Sequence, residues 1–441
     1  MDSLAFHFDA DADGKANQGG RLPAGIDRII ERYELSVGGV QIYQGSNHYN
    51  LLRSAKDALT KCNDDLCLSH PYIVRDKSYV NGFGDYNSGS EQALTGVKNE
   101  SYDPNGTTHF CINHWDGFLG TAEPRILDQS TRGACVLSIY LAGNEVLSSS
   151  RGVNLDGTGG SNVDRTDFTY IGNTANSVPG DARYRIRNFY LTLETMGMAD
   201  STYDVMISRK MGESGFLEIP FKQYFSYTDT HTGSSRFTIS TQSLDRIWVV
   251  QRPAGYDSQG APIRVKGYKT SGAFTSPATI AATQTAGAVT NDIGQPEYDG
   301  GPSDTNKELY NGKYFNFSET PANDDIEPQY QIQINGAYIN QYRGTAKDWY
   351  TISKNSLPTY KGCAKNITLD QYLNNYFVQC VRLNIPDSEL GREITGLNSK
   401  GVNLQCYYNS TGVSQDVNIV IFCECTSTLR IGAGRQLEIL Q

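Results

Sequence analysis

Tyr33–Gln44 reads YELSVGGVQIYQ, and Tyr330–Gln341 reads YQIQINGAYINQ. The two superpose without a gap, Tyr33 on Tyr330, Gly39 on Gly336, Ile42 on Ile339 and Gln44 on Gln341. Each is an alternating run, a glycine-bearing turn and a second run, which is the pattern of a β-hairpin. Period-two alternation predicts that Leu35, Val37, Ile332 and Ile334 face a core, with Glu34 and Gln331 turned away from it. A chain that writes one hairpin twice, far apart, points to tandem duplication of a β-domain. A second pair, RFTISTQSLDRI ending at Ile247 and VIFCECTSTLRI ending at Ile431, is read as a further landmark of the same repeat.

The rest of the chain fits that reading. Runs such as ACVLSIYL, RYRIRNFYLTLET, RIWVVQR and VNIVIFCEC alternate or are briefly apolar, and Gly, Asn, Asp or Pro bounds them. Helical patterns are few: NLLRSAKDALTK, DSTYDVMISRKM near residue 205 and TLDQYLNNY near residue 370. The class is therefore all-β, with short helices in the connections. At 441 residues the chain exceeds what one core usually fills, so two domains are expected, 1–252 and 253–441. Residues 62–115, 151–180 and 271–309 are rich in small polar residues and read as long loops.

Charge and motifs exclude several classes. A net charge of -10 leaves no general positive field for phosphate, so extensive direct nucleic-acid binding is not expected. No run of about 18 apolar residues occurs, so no transmembrane segment is expected, and MDSLAFHFDADADG has neither the basic nor the apolar part of a secretory signal. The nine cysteines lie mostly in strand-like runs and read as reduced thiols, with a Cys62–Cys67 disulfide left open. No P-loop, dinucleotide fingerprint, G-x-S-x-G elbow or H-E-x-x-H appears, and with six histidines a metal cupin is disfavoured.

Two partial metal motifs remain. Asp9, Asp11 and Asp13 have the spacing of a calcium loop, but position twelve is Gly20 rather than Glu, so an acidic turn between strands is the better reading. Cys62, Cys67, Cys111 and His114 make C-x4-C and C-x2-H, weak zinc candidates whose halves lie far apart. No catalytic residue, cofactor site or cofactor is assigned. Five sequons, at Asn99, Asn105, Asn316, Asn366 and Asn409, read as unmodified.

The segment GFLGTAEPRILDQSTRGACVLSIYLAGNEVL (117–147), with GFLEIPFKQYFSY (215–227), RFTISTQSLDRIW (236–248) and VGGVQIYQGSNHYNLL (37–52), resembles the double jelly-roll major capsid proteins of Polinton-like viruses and virophages. The likeness covers most of residues 20–250, and later mainly the hairpin and GLNSKGVNL. It implies two tandem eight-stranded jelly-roll sandwiches, homotrimers forming pseudo-hexameric capsomers, and a place in an icosahedral virion shell. Neighbouring capsomers, penton and minor capsid proteins would be the partners, the long loops would form the outer crown, and no enzyme activity is implied. The family usually has another strand and an arm ahead of the position where SLAFHF begins, whereas this sequence starts almost at that strand. Duplication makes physical sense here, because two similar wedges per chain give six from three chains. Two other classes stay open on sequence alone: a carbohydrate-binding β-sandwich such as a spike or lectin, and a glycan-active enzyme with acids converging in a cleft.

Overall fold

A computed structural model describes residues 3–13, 26–60, 108–123, 134–146, 183–197, 200–252, 326–339, 343–357, 369–374, 377–384, 395–401, 404–413, 417–432 and 436–441, with short stretches between them. The first sandwich is built from β1 (Ala5–Asp13), β2 (Ile30–Val37), β3 (Val40–Tyr43), α1 (Tyr49–Thr60), β4 (Thr108–Ile112), β5 (Cys135–Leu141) and β6 (Arg183–Thr192). Its strands pair antiparallel in the orders β6-β1-β4 and β5-β2-β3. Helix α2 (Asp200–Ser214) then leads into the second sandwich.

That second sandwich contains β7 (Phe216–His231), β8 (Ser234–Ile239), β9 (Leu244–Arg252), β10 (Gln329–Ile334), β11 (Ala337–Tyr338), α3 (Ala346–Asn355), α4 (Leu369–Asn374), β12 (Val378–Arg382), β13 (Leu404–Thr411) and β14 (Val417–Gly432). Its sheets run β7-β14-β9-β12 and β8-β13-β10-β11, again antiparallel, and β15 (Leu437–Leu440) pairs with β14.

The two orders correspond strand for strand. β1 between β6 and β4 matches β9 between β14 and β12, and β2 between β5 and β3 matches β10 between β13 and β11. In both sandwiches the hairpin is followed by a helix, α1 or α3. The expected repeat of the hairpin is thus part of a repeat of six paired strands and the helix after the hairpin. Both turns need two residues at positive φ, and Gly38 (58°) and Gly39 (83°) supply them in one, Asn335 (48°) and Gly336 (85°) in the other. Among the described residues eight strands, β7 to β14, form the two sheet paths of the second roll, with β15 and the two-residue strand Gly344–Thr345 paired beside them. In the first, six are found among the described residues, with no counterpart of β7 and β8.

Leu35, Val37, Ile332 and Ile334 face cores, as alternation requires. Gln331 lies on the opposite face yet is buried too, so that side of β10 is also covered. In the first core Tyr33 is the hub, stacked on Tyr43 at 4.7 Å between ring centroids and edge-on to Trp115 at 5.4 Å. The second core gathers Trp248, Tyr330, Trp349, Tyr408 and Phe422.

β7, β8 and β9, which precede residue 253, bond to β14, β13 and β12 of the second roll. Two expectations need correction. The second landmark pair is not equivalent. Arg236–Ile247 runs from β8 into β9, whereas Val420–Ile431 lies inside β14. Asp9–Asp13 is not a turn but the second half of β1, where Asp9, Asp11 and Asp13 stand opposite Arg187, Arg185 and Arg183 of β6. The three expected helices are present as α1, α2 and α4, and α3 is an addition.

The rolls are joined by main chain. β7 and β14 pair along 16 residues each, from Phe216 opposite Gly432 to His231 opposite Val417. One end of this ribbon, with Ile219, Phe221, Leu429 and Ile431, packs in the first core. The other end, with Tyr224, Ile419, Ile421 and Phe422, packs in the second. Helix α1 crosses similarly, Tyr49 into the first core and Leu51, Leu52, Ala55 and Leu59 into the second.

Candidate functional site: a charged seam between two rolls

Where the cores meet, charged side chains are buried in pairs. Arg53 on α1 donates from Nε to Asp27 Oδ2 at 2.9 Å and from Nη1 to Asp116 Oδ2 at 2.8 Å. Lys56, one turn on, donates to the other oxygen of Asp116 and, at 3.1 Å, to the Tyr224 hydroxyl of β7. The main chain of Asp116 is fixed as well, its N–H donating to the Tyr49 hydroxyl at 3.0 Å and its carbonyl accepting from Tyr33.

A second cluster continues the seam across β7, β9 and β14. Arg246 Nη1 donates to Glu424 Oε1 at 2.7 Å, and Trp248 Nε1 to Glu424 Oε2 at 3.1 Å. Lys222 Nζ donates to Asp245 Oδ2 at 2.6 Å and to Thr426 Oγ1 at 2.7 Å. Ser243 Oγ donates to Asp245 Oδ1 at 2.7 Å.

Electrostatics keeps these acids ionised. Burial alone would raise the Asp116 carboxyl, but Lys56 and Arg53 outweigh it and hold it well below the usual carboxylate range. Glu424 behaves likewise, burial opposing and Arg246, Lys222 and Lys56 prevailing. Carboxylates held ionised by fixed cations cannot serve as general acids near neutral pH. The arrangement suits mechanical joining of two rolls rather than proton transfer.

The weak zinc candidates are not brought together by what is described. Cys62 and Cys67 lie outside the described residues. Cys111 lies on β4 with Sγ 3.8 Å from His7 Nε2, and its thiol is raised by burial. His114 follows as an exposed residue beyond that strand. Among the described residues no group of three or more potential metal ligands occurs. Cys380, Cys406, Cys423 and Cys425 are buried thiols outside any disulfide, as expected of core cysteines, while Cys135 is exposed. The long stretches 62–107, 151–180 and 271–309 lie outside the described residues, apart from short paired pieces such as Asn154–Leu155 with Val163–Asp164.

The seam was not singled out from sequence. A signal existed, since Glu424 is the lone charge within VNIVIFCEC, and an acid in an apolar run has to find a buried partner. Its partner Arg246 lies 178 positions away and carries no mark of its own.

His231 clamps a different place. Its ring nitrogens lie 2.7 Å from Ser235 Oγ on β8 and 2.6 Å from Ser410 Oγ on β13. Burial pushes its pKa from 6.5 down to about 4, and burial does the same to His48. Both rings are then neutral in the folded protein at pH 7, and the unfolded chain binds more protons between pH 6.5 and about 4. Stability is expected to be fully present above pH 6.5 and to fall on acidification through that window, by roughly 2 kcal/mol per imidazole. Urea midpoints measured at pH 7 and pH 4.5 check this, and His231→Gln should remove about half of the difference.

No family model matches the sequence, and no curated protein does. Among solved structures, the chain is similar to PBCV-1 VP54 fitted into a cryo-EM reconstruction of the virophage Sputnik, with TM-score 0.45 and 14% identity over 98% of this chain and 88% of that one. It is also similar to a chain of the Sputnik virophage solved by cryo-EM (TM-score 0.40, 10% identity, 99% and 82% covered) and to the mavirus major capsid protein (TM-score 0.38, 9% identity, 99% and 83% covered). Likeness at this level does not carry function.

Proposed function

We propose that this chain is a major capsid protein of the double jelly-roll type, which trimerises into pseudo-hexameric capsomers and tiles an icosahedral virion shell. The observation that carries the reading is the recurrence of one strand order in two rolls of a single chain, fused through the β7–β14 ribbon. Two like wedges per chain let a closed trimer present six, the geometry a hexagonally packed shell requires. The sequence resemblance of residues 117–147, 215–227 and 236–248 supports the same reading. Buried carboxylates that are each paired with a cation, as Asp116 and Glu424 are, suit a structural role, and contact with neighbouring capsomers, penton and minor proteins follows from that reading. The long connections between α1 and β4, β5 and β6, and β9 and β10 would form the outer crown.

Light scattering on the purified protein tests the proposal. The expected result is a stable species of about three times 48.6 kDa, with hexagonal outlines in negative stain. A monomer at micromolar concentration would sink it.

A further inference from the structure

We propose that ordered water is a built-in part of the second core, held between its two sheets by the side chains of Gln251, Gln379 and Tyr330. Gln251 on β9 and Gln379 on β12 belong to one sheet. Gln379 stands opposite Val249, two residues before Gln251, so the two amides share a face of that sheet. Tyr330 on β10 and Tyr408 on β13 belong to the facing sheet, with ring centroids 6.3 Å apart and planes 21° from parallel. All four residues are 0% exposed, within a cluster that is otherwise apolar.

One bond joins these side chains directly, Gln251 Nε2 donating to Tyr408 Oη at 2.5 Å. Burial holds the Tyr408 hydroxyl well above its usual value, against the pull of the Gln251 and Gln379 amides beside it, and burial raises Tyr330 in the same way, so both hydroxyls keep their protons. Around that bond four polar atoms have no hydrogen-bond partner among the described residues: Gln251 Oε1, Gln379 Oε1 and Nε2, and Tyr330 Oη. Buried polar atoms in native proteins are paired, and where the chain does not reach them ordered water does. The chemistry of the set selects water. Gln379 Nε2 donates, the two amide oxygens accept, and the Tyr330 hydroxyl does both. Turning an amide over moves its donor and acceptor but leaves the set mixed. A cation would face the Nε2 donor, and an anion would face the amide oxygens and the charge of Glu319, which bears on Tyr330 and Tyr408. Water donates and accepts at once, and at about three bonds each, roughly one or two molecules complete the set. The inference stands on the second core and does not depend on the shell reading.

Ordered solvent in a high-resolution experimental structure of the full chain tests it. A solvent peak is expected within hydrogen-bond distance of the Gln379 amide and of Tyr330 Oη, and this is read on the native chain, so it does not depend on any variant folding. Oxygen-17 relaxation dispersion counts the same molecules in solution through their long residence. Gln251→Met with Gln379→Met keeps the volume and removes both amides, and should lower the dispersion amplitude by about one or two waters. Gln405→Met, at an exposed position of β13, should leave the amplitude unchanged. Direct bonds between these side chains with no solvent peak would overturn the proposal, as would an unchanged amplitude in the folded paired variant. So would a peak whose occupancy follows added sodium, potassium or calcium, which would make this a cation site.

Discussion

Asp116→Ala is expected to destabilise the protein by about 3–5 kcal/mol, the cost of breaking a buried ion pair from one side. Asp116 is 5% exposed and receives both Arg53 and Lys56, so its removal takes one partner from each of two cations on α1, leaving Arg53 its bond to Asp27 and Lys56 the attraction of Glu424. Losing the charge of Arg53 at the same time removes the uncompensated partner, so Asp116→Ala with Arg53→Met should cost less than the two single changes summed. Urea denaturation with an unchanged slope would read the difference directly. A loss below about 1 kcal/mol would mean that water already screens the seam. The pH dependence has a definite sign. Because the folded carboxyls of Asp116 and Glu424 lie below their ordinary values, the stability they contribute is present above about pH 4 and is lost as pH falls through the lowered folded values. Asp116→Asn should remove part of that acid dependence.

Trp349→Ala should cost a similar amount, about 3–5 kcal/mol, through a different cause. Trp349 is fully buried on α3, packs into the second core and donates from Nε1 to the Tyr330 carbonyl at 3.3 Å. It therefore pins the helix to the first strand of the repeated hairpin. Truncation removes a large ring, opens a cavity and leaves the helix anchored by Ala346 and Ser353. Trp349→Phe keeps most of the apolar volume and should recover more than half of the loss. Equal damage from both substitutions would show that the hydrogen bond, not the packing, holds the helix.

The parts of the fold that could be read in sequence are those fixed by local rules. The two turns are legible because a two-residue hairpin demands positive φ, which Gly38-Gly39 and Asn335-Gly336 satisfy. Helix α1 is legible because Leu51, Leu52, Ala55 and Leu59 recur at helical spacing. Helix α3 is obscured by the strand-favouring Trp, Tyr, Thr and Ile at residues 349–352, although Thr345 and Asp348 form a capping box at its start.

What failed depends on distant partners. Arg236–Ile247 and Val420–Ile431 look alike because both alternate apolar residues with Thr and Ser, yet one spans two strands and the other lies inside one. Residues 216–252 follow the first roll in sequence but pair with strands between residues 378 and 432, and nothing local announces that choice. The acidic run of β1 was readable in principle, since Asp9, Asp11 and Asp13 alternate with Ala as Arg183, Arg185 and Arg187 alternate with Tyr and Ile.

The ribbon of β7 and β14 makes the molecule a stiff beam. A load on one roll reaches the other along covalent backbone and an unbroken ladder, so this ribbon has no break between the two cores. Any curvature in an array of such molecules must then be taken up where one molecule meets the next.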